Sequence, residues 1–130
     1  MPKKRPEGFG GYSKESSSRV KQLKMHLKGI QDSEEKMRII LSIFSDTELI
    51  PEVGKYYTFL YTAKTPGIIY DQHPLIATVS VEKWGFKGLN FHWGTVRNYT
   101  WEEMPDKLHV IKPSEISALR SIDYAKIRVR

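Results

Sequence analysis

The sequence predicts a mostly β protein: a small antiparallel barrel of the SH3-like or OB-like type, with a basic N-terminal arm and helix and a short C-terminal helix. Three observations predict this fold class. Beyond Pro51, segments of about 5 to 8 residues alternate apolar and polar side chains. Turns rich in Gly and Pro separate these segments, and the positive charge is concentrated in the first 28 residues. A chain of 130 residues has the length of one ordinary domain.

We predict a basic arm plus an amphipathic helix over residues 1–34 and a barrel domain over residues 35–130. Residues 1–18 combine Lys, Arg, Pro, Gly and Ser, with Phe9 and Tyr12 as the candidate anchors. Such a composition cannot bury enough apolar surface to form a packed unit alone. The arm is therefore expected to become ordered only against another surface.

From Ser16 onwards the sequence has the periodicity of a helix of about three turns. Gly29 is placed to end this helix, as glycine often does. Its apolar stripe is narrow and consists of Val20, Leu23, Leu27 and Ile30. We favour docking of this helix on the domain body, and docking in a groove on another subunit is the alternative.

Residues 32–44 carry two conflicting signals. Asp32 and Ser33, followed by two glutamates, resemble the start of a helix. The run that follows is β-branched and apolar on both faces, which favours a strand. We predict a turn leading into a buried strand over residues 37–44, because the apolar run is short and a polar break follows it.

The remaining chain is predicted to form several short strands. Residues 51–67 alternate aromatic residues and end at a Pro-Gly turn, and residues 74–85 alternate in the same way. KLHVIK at 107–112 is predicted as a further strand, and AKIRVR at 125–130 as an edge strand. A short helix is predicted near residues 114–121.

Residues Trp84 to Gly94, WGFKGLNFHWG, are either a stacking site for a ligand or a core strand. We favour a core strand, with Gly85 and Gly88 at or near a hairpin turn and with alternate residues facing inward. The predicted inward set is Leu89, Phe91 and Trp93. Aromatic side chains of this size supply much of the core of a small barrel.

Charge and composition limit the classes of function. The formal net charge of +6 is accounted for by residues 1–28, which hold eight basic and two acidic residues, so the rest of the chain is neutral. Attraction to nucleic acid or to an acidic protein surface is therefore expected of the arm. The chain has no cysteine, which excludes disulfides and thiolate zinc sites. No run approaches the roughly 20 apolar residues of a membrane span, and no signal peptide is recognisable.

Catalysis and metal binding are the least favoured classes. The candidate metal ligands are His73, His92, His109, Asp71 and Asp106, but their spacing matches no recognisable metal motif. Glu102 and Glu103 near His92 could serve acid–base chemistry, but adjacent glutamates on one segment usually form a solvated face. We therefore predict no catalytic residue, no metal and no cofactor.

A nucleic-acid-binding barrel is the principal alternative. Such proteins stack bases on exposed aromatic side chains in a positively charged groove. The candidate aromatic residues are Tyr56, Tyr61, Tyr70, Trp84, Tyr99 and Trp101, with Lys55, Lys64, Lys83, Lys87 and Arg97 nearby. Against this alternative, the body is neutral and has no RNP-like pattern.

Residues 97–107, RNYTWEEMPDK, are predicted to form a loop. Arg97, Tyr99 and Trp101 are residue types that anchor protein interfaces. An equally supported interpretation is that Trp101 closes one end of the barrel. This loop is a candidate interface.

Four stretches resemble small proteins of T4-like tailed phages, including those of cyanobacteria. The stretches are GKYYTFLY at 54–61, YDQHPL at 70–75, WGFKGLNFHW at 84–93 and RNYTWEE at 97–103. The similarity covers roughly residues 54–112. The resemblance implies a virus-encoded protein, most simply a virion component assembled in the host cytoplasm, and it carries no catalytic residues.

Together these observations predict a non-enzymatic structural or adaptor subunit of a tailed-phage virion, in the tail, baseplate or neck. The expected partners are other virion proteins in multiple copies, with nucleic acid as a further partner of the basic arm and no membrane. Partner binding is assigned to Lys3, Lys4, Arg5, Phe9, Tyr12, Leu23 and Leu27. A nucleic-acid-binding barrel acting on phage DNA remains the alternative.

Overall fold

The centre of the molecule is a six-stranded antiparallel sheet. The computed structural model describes residues 18–104, 107–124 and 127–130. The sheet has the order β1-β7-β2-β4-β5-β6, and β3 and β8 form a separate two-stranded sheet. The strands are β1 Thr47–Glu48, β2 Tyr56–Thr58, β3 Ile69–Asp71, β4 Leu75–Val81, β5 Gly85–Asn90, β6 Thr95–Thr100, β7 Leu108–Ile111 and β8 Ile127–Val129.

The predicted β class is confirmed, but the sheet is not closed into a barrel. The strands β1 and β6 end the sheet on opposite sides, and β1 has only two residues. A strand this short cannot supply the continuous pairing that closure requires. Each face of the open sheet is covered by a different layer.

Three helices cover one face of the sheet. Residues 18–27 are helical and form α1, α2 spans Ser33–Ile43, and α3 spans Ile116–Arg120 after a 3₁₀ turn at Pro113–Glu115. The predicted helix near residues 114–121 is confirmed. Among the described residues, no helix has the length and hydropathy to cross a membrane.

The strand predicted over residues 37–44 is wrong, because this segment belongs to α2. The Asp32 side chain caps the helix by accepting a hydrogen bond from the Glu35 N–H at 3.1 Å. Met37, Ile40 and Phe44 recur at helical spacing and are buried. The cap and the single buried stripe outweigh the β propensity of the branched residues.

The amphipathic helix predicted from Ser16 is confirmed over residues 18–27. Gly29 has φ +81°, the left-handed conformation expected beyond a helix end. Leu23 is fully buried in a cluster that also holds Ile40, Leu75 and Leu119. The described part of the predicted arm therefore belongs to the same core as residues 35–130.

An ion pair fixes the start of α1 to the body. The Arg19 guanidinium donates two hydrogen bonds of 2.7 Å to the Glu115 carboxylate, which is fully buried. The guanidinium also lies 4.5 Å from the centre of the Phe44 ring, and one of its nitrogens is 3.9 Å from Asp46, just before β1. The N-terminal end of α1 is thus held at the β1/β7 side of the sheet.

The opposite face of the sheet carries an aromatic core. Phe59 meets Phe86 and Tyr99 edge-on, with ring centroids 5.8 and 5.4 Å apart. Tyr57 belongs to this cluster, whereas its neighbour Tyr56 packs with the helices. Successive residues on a strand point to opposite faces, so the two clusters lie on opposite sides of the sheet.

The stretch from Trp84 to Gly94 contains a core strand, as predicted, but its most buried residues are the opposite set. Of the predicted inward residues, Phe91 is half-buried and packs against the cluster on the helix side of the sheet. Phe86, Gly88 and Asn90 are buried, whereas Trp93 is exposed in the turn over residues 91–94. Positions 85 and 88 of β5 are occupied by glycine because neighbouring groups approach too closely for a side chain. A Cβ on Gly88 would lie 3.1 Å from the Ile76 side chain and 3.3 Å from the Tyr99 ring.

We expect Gly85→Ala to prevent normal pairing of β5 with β6. A Cβ at position 85 would lie 1.9 Å from the Tyr99 carbonyl oxygen, a backbone atom that cannot move without breaking the sheet. The expected loss in the free energy of unfolding is about 3 kcal/mol or more, measured by urea denaturation. Gly94→Ala is the control, because nothing lies within 4 Å of its Cβ. The left-handed backbone there should cost only about 1–2 kcal/mol, and equal losses would contradict the expectation.

The other strand predictions are confirmed in part. Residues 51–67 form only the three-residue strand β2, and an irregular segment follows it. KLHVIK contains β7, as predicted. The predicted C-terminal edge strand exists as β8, but it pairs with β3 rather than with the main sheet.

Candidate functional site

The residues assigned to partner binding are divided by the structure. Lys3, Lys4, Arg5, Phe9 and Tyr12 lie outside the described residues. Of the two leucines assigned with them, Leu23 is fully buried and Leu27 packs against the same cluster. These two leucines are core residues of this chain, which corrects their assignment to a neighbouring subunit.

Part of the positive charge is fixed on the surface of the body. Residues 18–28 hold four basic residues and no acidic one. Of these, Lys21, Lys24 and Lys28 are exposed on and just after α1, whereas Arg19 binds Glu115. The helix therefore presents a basic surface in a defined position.

The predicted interface loop at 97–107 is ordered secondary structure over most of its described length. Arg97 and Tyr99 lie in β6, and Trp101 begins a 3₁₀ turn at Trp101–Glu103. Tyr99 is buried. The Trp101 indole packs on Phe86 with centroids 5.9 Å apart and donates to the Lys83 carbonyl oxygen at 2.8 Å. The prediction of a loop is wrong over Arg97–Thr100, and Tyr99 is a core residue.

Three of the four tyrosines in the predicted stacking platform for nucleic acid are buried. Tyr61, Tyr70 and Tyr99 are only 7%, 7% and 2% exposed, and they pack on each other at the edge of the aromatic core. Trp84 is exposed on the tight connection between β4 and β5. Buried rings cannot stack on bases.

A buried polar network joins β3 to the hairpin of β5 and β6. The Asp71 carboxylate accepts hydrogen bonds from the His73 N–H at 2.9 Å and from the His92 ring at 2.7 Å. The Asn90 amide donates to the Tyr99 hydroxyl at 3.0 Å. These residues come from the segments YDQHPL, GLNFHW and RNYTW, which carry the resemblance noted above and which the fold brings together.

Asn90 also shapes the turn that follows β5. Its side-chain oxygen accepts hydrogen bonds from the backbone N–H groups of His92 and Trp93, at 2.8 and 3.0 Å. An asparagine that caps its own turn in this way fixes the backbone of that turn. The network therefore holds the hairpin end, and through Asp71 it attaches β3 to the main sheet.

Two of the candidate histidine ligands lie in different parts of the molecule. The His92 Nδ1 faces Asp71, and its Nε2 is buried without a hydrogen-bond partner among the described residues. His109 lies elsewhere and donates from Nδ1 to the Phe44 carbonyl oxygen at 2.8 Å. Asp106 lies outside the described residues. Within the described ranges, no group of three His, Asp or Glu side chains is arranged to hold a metal ion.

Glu103 is engaged with the wall of the aromatic core and not with His92. Its carboxylate accepts hydrogen bonds from the Tyr61 hydroxyl at 2.8 Å, from the Thr100 hydroxyl at 2.7 Å and from the Lys64 N–H at 2.7 Å. Burial acts to raise the pKa of Glu103, but these hydrogen bonds outweigh burial and lower the pKa below its ordinary 4.5. Burial raises the pKa of Tyr61, and the bond to Glu103 adds to that shift.

We expect Glu103 to contribute stability that is lost in acid. Because its pKa is lowered in the folded state, the contribution is present above pH 4.5 and disappears as the pH falls through the lowered value. Urea midpoints measured between about pH 6 and pH 3 should fall less steeply for Glu103→Gln than for the parent chain. Its exposed neighbour provides the control, because Glu102→Gln should keep the parent slope. Identical slopes for all three proteins would contradict this role of Glu103.

A cleft of about 380 Å³ opens between β6 and β3. It lies beside the polar network, with Asp71 and Tyr99 common to both. The Arg97 side chain reaches across to donate to the Ile69 carbonyl oxygen at 3.2 Å, and its guanidinium lies 4.6 Å from the centre of the Trp93 ring. The lining residues are Tyr61, Ile68, Tyr70, Asp71 and the run 95–99.

Comparison with protein-family models, with curated proteins and with solved structures gives no match for this chain. Sequence reasoning missed Asn90 and the cleft. The available signal for Asn90 was its position at the end of an alternating run and before a glycine-containing turn, where Asn commonly caps the backbone.

Proposed function

We propose that this chain is a non-enzymatic structural or adaptor subunit of a tailed-phage virion, in the tail, baseplate or neck. The cleft between β3 and β6 is the observation that carries the proposal. Five consecutive residues of β6 line it, so the strand edge and not one side-chain face borders the cleft. A wall of backbone donors and acceptors suits a polypeptide partner.

Two further features support an assembly role. The segment before Ser18 contains Lys3, Lys4 and Arg5, and the exposed lysines of α1 continue the positive charge on the body. Charge of one sign steers association with acidic protein surfaces. The resemblance of the motif segments to proteins of T4-like phages supplies the virion context.

The experiment is to search for the chain in purified particles of the phage that encodes it. A virion subunit is expected as a 15.1 kDa band, identified by mass spectrometry, that persists after washing at high salt. Absence of the chain from washed particles would overturn the proposal.

The nucleic-acid alternative makes a different prediction. A protein that neutralises several phosphates loses affinity for DNA steeply between about 50 and 200 mM salt. If the partner is a protein that binds through many contacts, we expect the double variant Lys21→Gln/Lys24→Gln still to be incorporated into particles. Steeply salt-dependent binding of purified chain to single-stranded DNA, lost in that variant and accompanied by absence from particles, would favour the DNA-binding function.

A further inference from the structure

The outer edge of β6 carries backbone groups that face away from β5 and make no backbone hydrogen bond to another strand within the described ranges. The Trp101 N–H donates to the Trp84 carbonyl oxygen at 3.2 Å, and these residues extend the register in which Phe86 faces Tyr99. Hydrogen-bonded pairs alternate along an antiparallel ladder. The pairs containing Tyr99 and Arg97 are therefore the bonded ones, and the backbone groups of Val96 and Asn98 point outward.

The strand β3 presents a second outer edge of the same kind. The Arg130 N–H donates to the Ile68 carbonyl oxygen at 3.0 Å, in register with the pairing of β3 and β8. By the same alternation, the backbone groups of Ile69 and Asp71 point away from β8. Ile69 confirms this direction, because its carbonyl oxygen accepts the hydrogen bond from Arg97 across the cleft.

The cleft is thus a gap between two facing strand edges. Within the described ranges, no backbone hydrogen bond joins β3 to β6, and the Arg97 side chain bridges the gap instead. The rings of Tyr61 and Tyr99 close its inner side, 5.0 Å apart between centroids. An extended polypeptide inserted here could pair with both edges at once and join the two sheets.

We propose that this gap is the acceptor site for residues 1–17 of a second copy of this chain, an inference that rests on the proposed assembly function. Close tyrosine walls suit a segment with little side-chain bulk on its inner face. Residues 8–12, GFGGY, alternate glycine with an aromatic residue over Gly8, Phe9 and Gly10. Gly8 and Gly10 would face the tyrosines, and Phe9 would lie on the outer side.

The position of α1 selects a second copy over the chain's own cleft. Arg19 holds the start of α1 at the β1/β7 side, on the helix-covered face, whereas the cleft lies beyond β6 on the aromatic side. Five strand spacings of about 4.8 Å separate the two sides of the sheet, and the chain would also have to pass around it. The proposed pairing segment ends at Tyr12, so only residues 13–17 would link it to Ser18 at the start of α1. Fully extended, this link spans at most about 22 Å, which is less than the width of the sheet alone.

A donor segment on one side and an acceptor gap on the other give a head-to-tail contact. Such contacts generate rings or open filaments, according to the rotation between neighbours. Repetition then multiplies modest contacts, as a virion substructure requires.

Disulfide trapping tests the proposal, since the chain has no cysteine of its own. Full-length Gly11→Cys, whose side chain would share the outer side with Phe9 and with Val96, is mixed with full-length Val96→Cys under mild oxidation. The disulfide joining positions 11 and 96 is quantified by mass spectrometry. Val79→Cys replaces Val96→Cys in the control, because Val79 and Val96 are similarly exposed, at 47% and 52%. We expect a yield at least about tenfold above the control. Equal yields, or no such disulfide, would overturn the proposal.

A second measurement tests the proposal even if a cysteine substitution disturbs folding. A synthetic peptide of residues 1–17 should compete with the trapping reaction, whereas the same peptide with Gly8 and Gly10 replaced by Val should not. Equal competition by both peptides would overturn the proposed fit. The virion function is tested separately. If the chain is found in washed particles but the 11–96 disulfide does not form, the function is retained and this inference is lost.

Discussion

Glu115→Ala is expected to cost about 3 kcal/mol or more of the free energy of unfolding. The carboxylate is fully buried, accepts two bonds from Arg19 and accepts a third from the Lys112 N–H at 2.9 Å. Breaking a buried ion pair by removing one of its partners typically costs about 3–5 kcal/mol. Asp46 lies too far into solvent to replace it, with its side chain 80% exposed.

Two variants separate charge from packing in this prediction. Glu115→Gln keeps acceptors for Lys112 and for one Arg19 nitrogen, so it should cost roughly half as much. Glu35→Gln removes the exposed partner of Arg38 and should change the urea midpoint very little. The contrary result would be a loss for Glu115→Ala no larger than that for Glu35→Gln, and it would show that α1 is not held by this pair.

The outcome at α1 has a consequence for assembly. If Glu115→Ala releases the helix, the segment before Ser18 no longer starts from a fixed point beside β1. Amide hydrogen exchange along residues 18–27 would report this release directly. Loss of the 11–96 disulfide in the same variant would then follow from the release of α1, because the cleft lies on the other side of the sheet and is not changed by the substitution.

The sequence predicted the parts of the fold that depend on local pattern. The helix at residues 18–27, the strands β4 and β7 and the helical turn after β7 follow from periodicity, Gly29 and the alternation of residues 75–81. The strand prediction for residues 37–44 was wrong. The β-branched residues there favour a strand, but the Asp32 cap and the burial of one stripe select a helix. Tertiary burial decides such conflicts.

Barrel closure and strand parity could not be predicted from local pattern. Closure depends on whether β1 and β6 pair, and no property of either strand alone determines this. The predicted parity of β5 was wrong because it followed the alternating large residues Leu89, Phe91 and Trp93. The small Gly88 and the polar Asn90, which are buried, gave a weaker signal. Asn90 can be buried because its side-chain amide hydrogen-bonds to the Tyr99 hydroxyl and to the backbone of the turn at residues 91–94.

The candidate site shows the same division. Arg97 and Tyr99 were selected as interface residues by type, and the structure places Arg97 across the cleft and Tyr99 in its wall. Their context, two facing strand edges, arises because β3 pairs with the distant β8, where Tyr70 faces Arg128, while β6 pairs with β5. No local signal encodes such a gap.

Asp71→Ala is expected to be the most damaging substitution outside the aromatic core, with a loss of about 3–4 kcal/mol. The carboxylate is buried, and its removal leaves the His73 N–H and the His92 ring nitrogen without their acceptor. Each orphaned buried donor costs about 1–3 kcal/mol. Asp71→Asn is the matched control: its amide oxygen can serve His73, and its amide nitrogen can donate to His92 in the other tautomer, so it should cost about half as much.

The readout that separates this role from simple packing is the protection of β3 and β8. Because Asp71 ties β3 to the hairpin end, its loss should speed amide hydrogen exchange at Tyr70 and Arg128 before it affects β4. The same loosening should widen the cleft and reduce trapping at position 96. Unchanged exchange in the two-stranded sheet, or a loss below about 1 kcal/mol by urea unfolding, would show that the network does not hold the two sheets together.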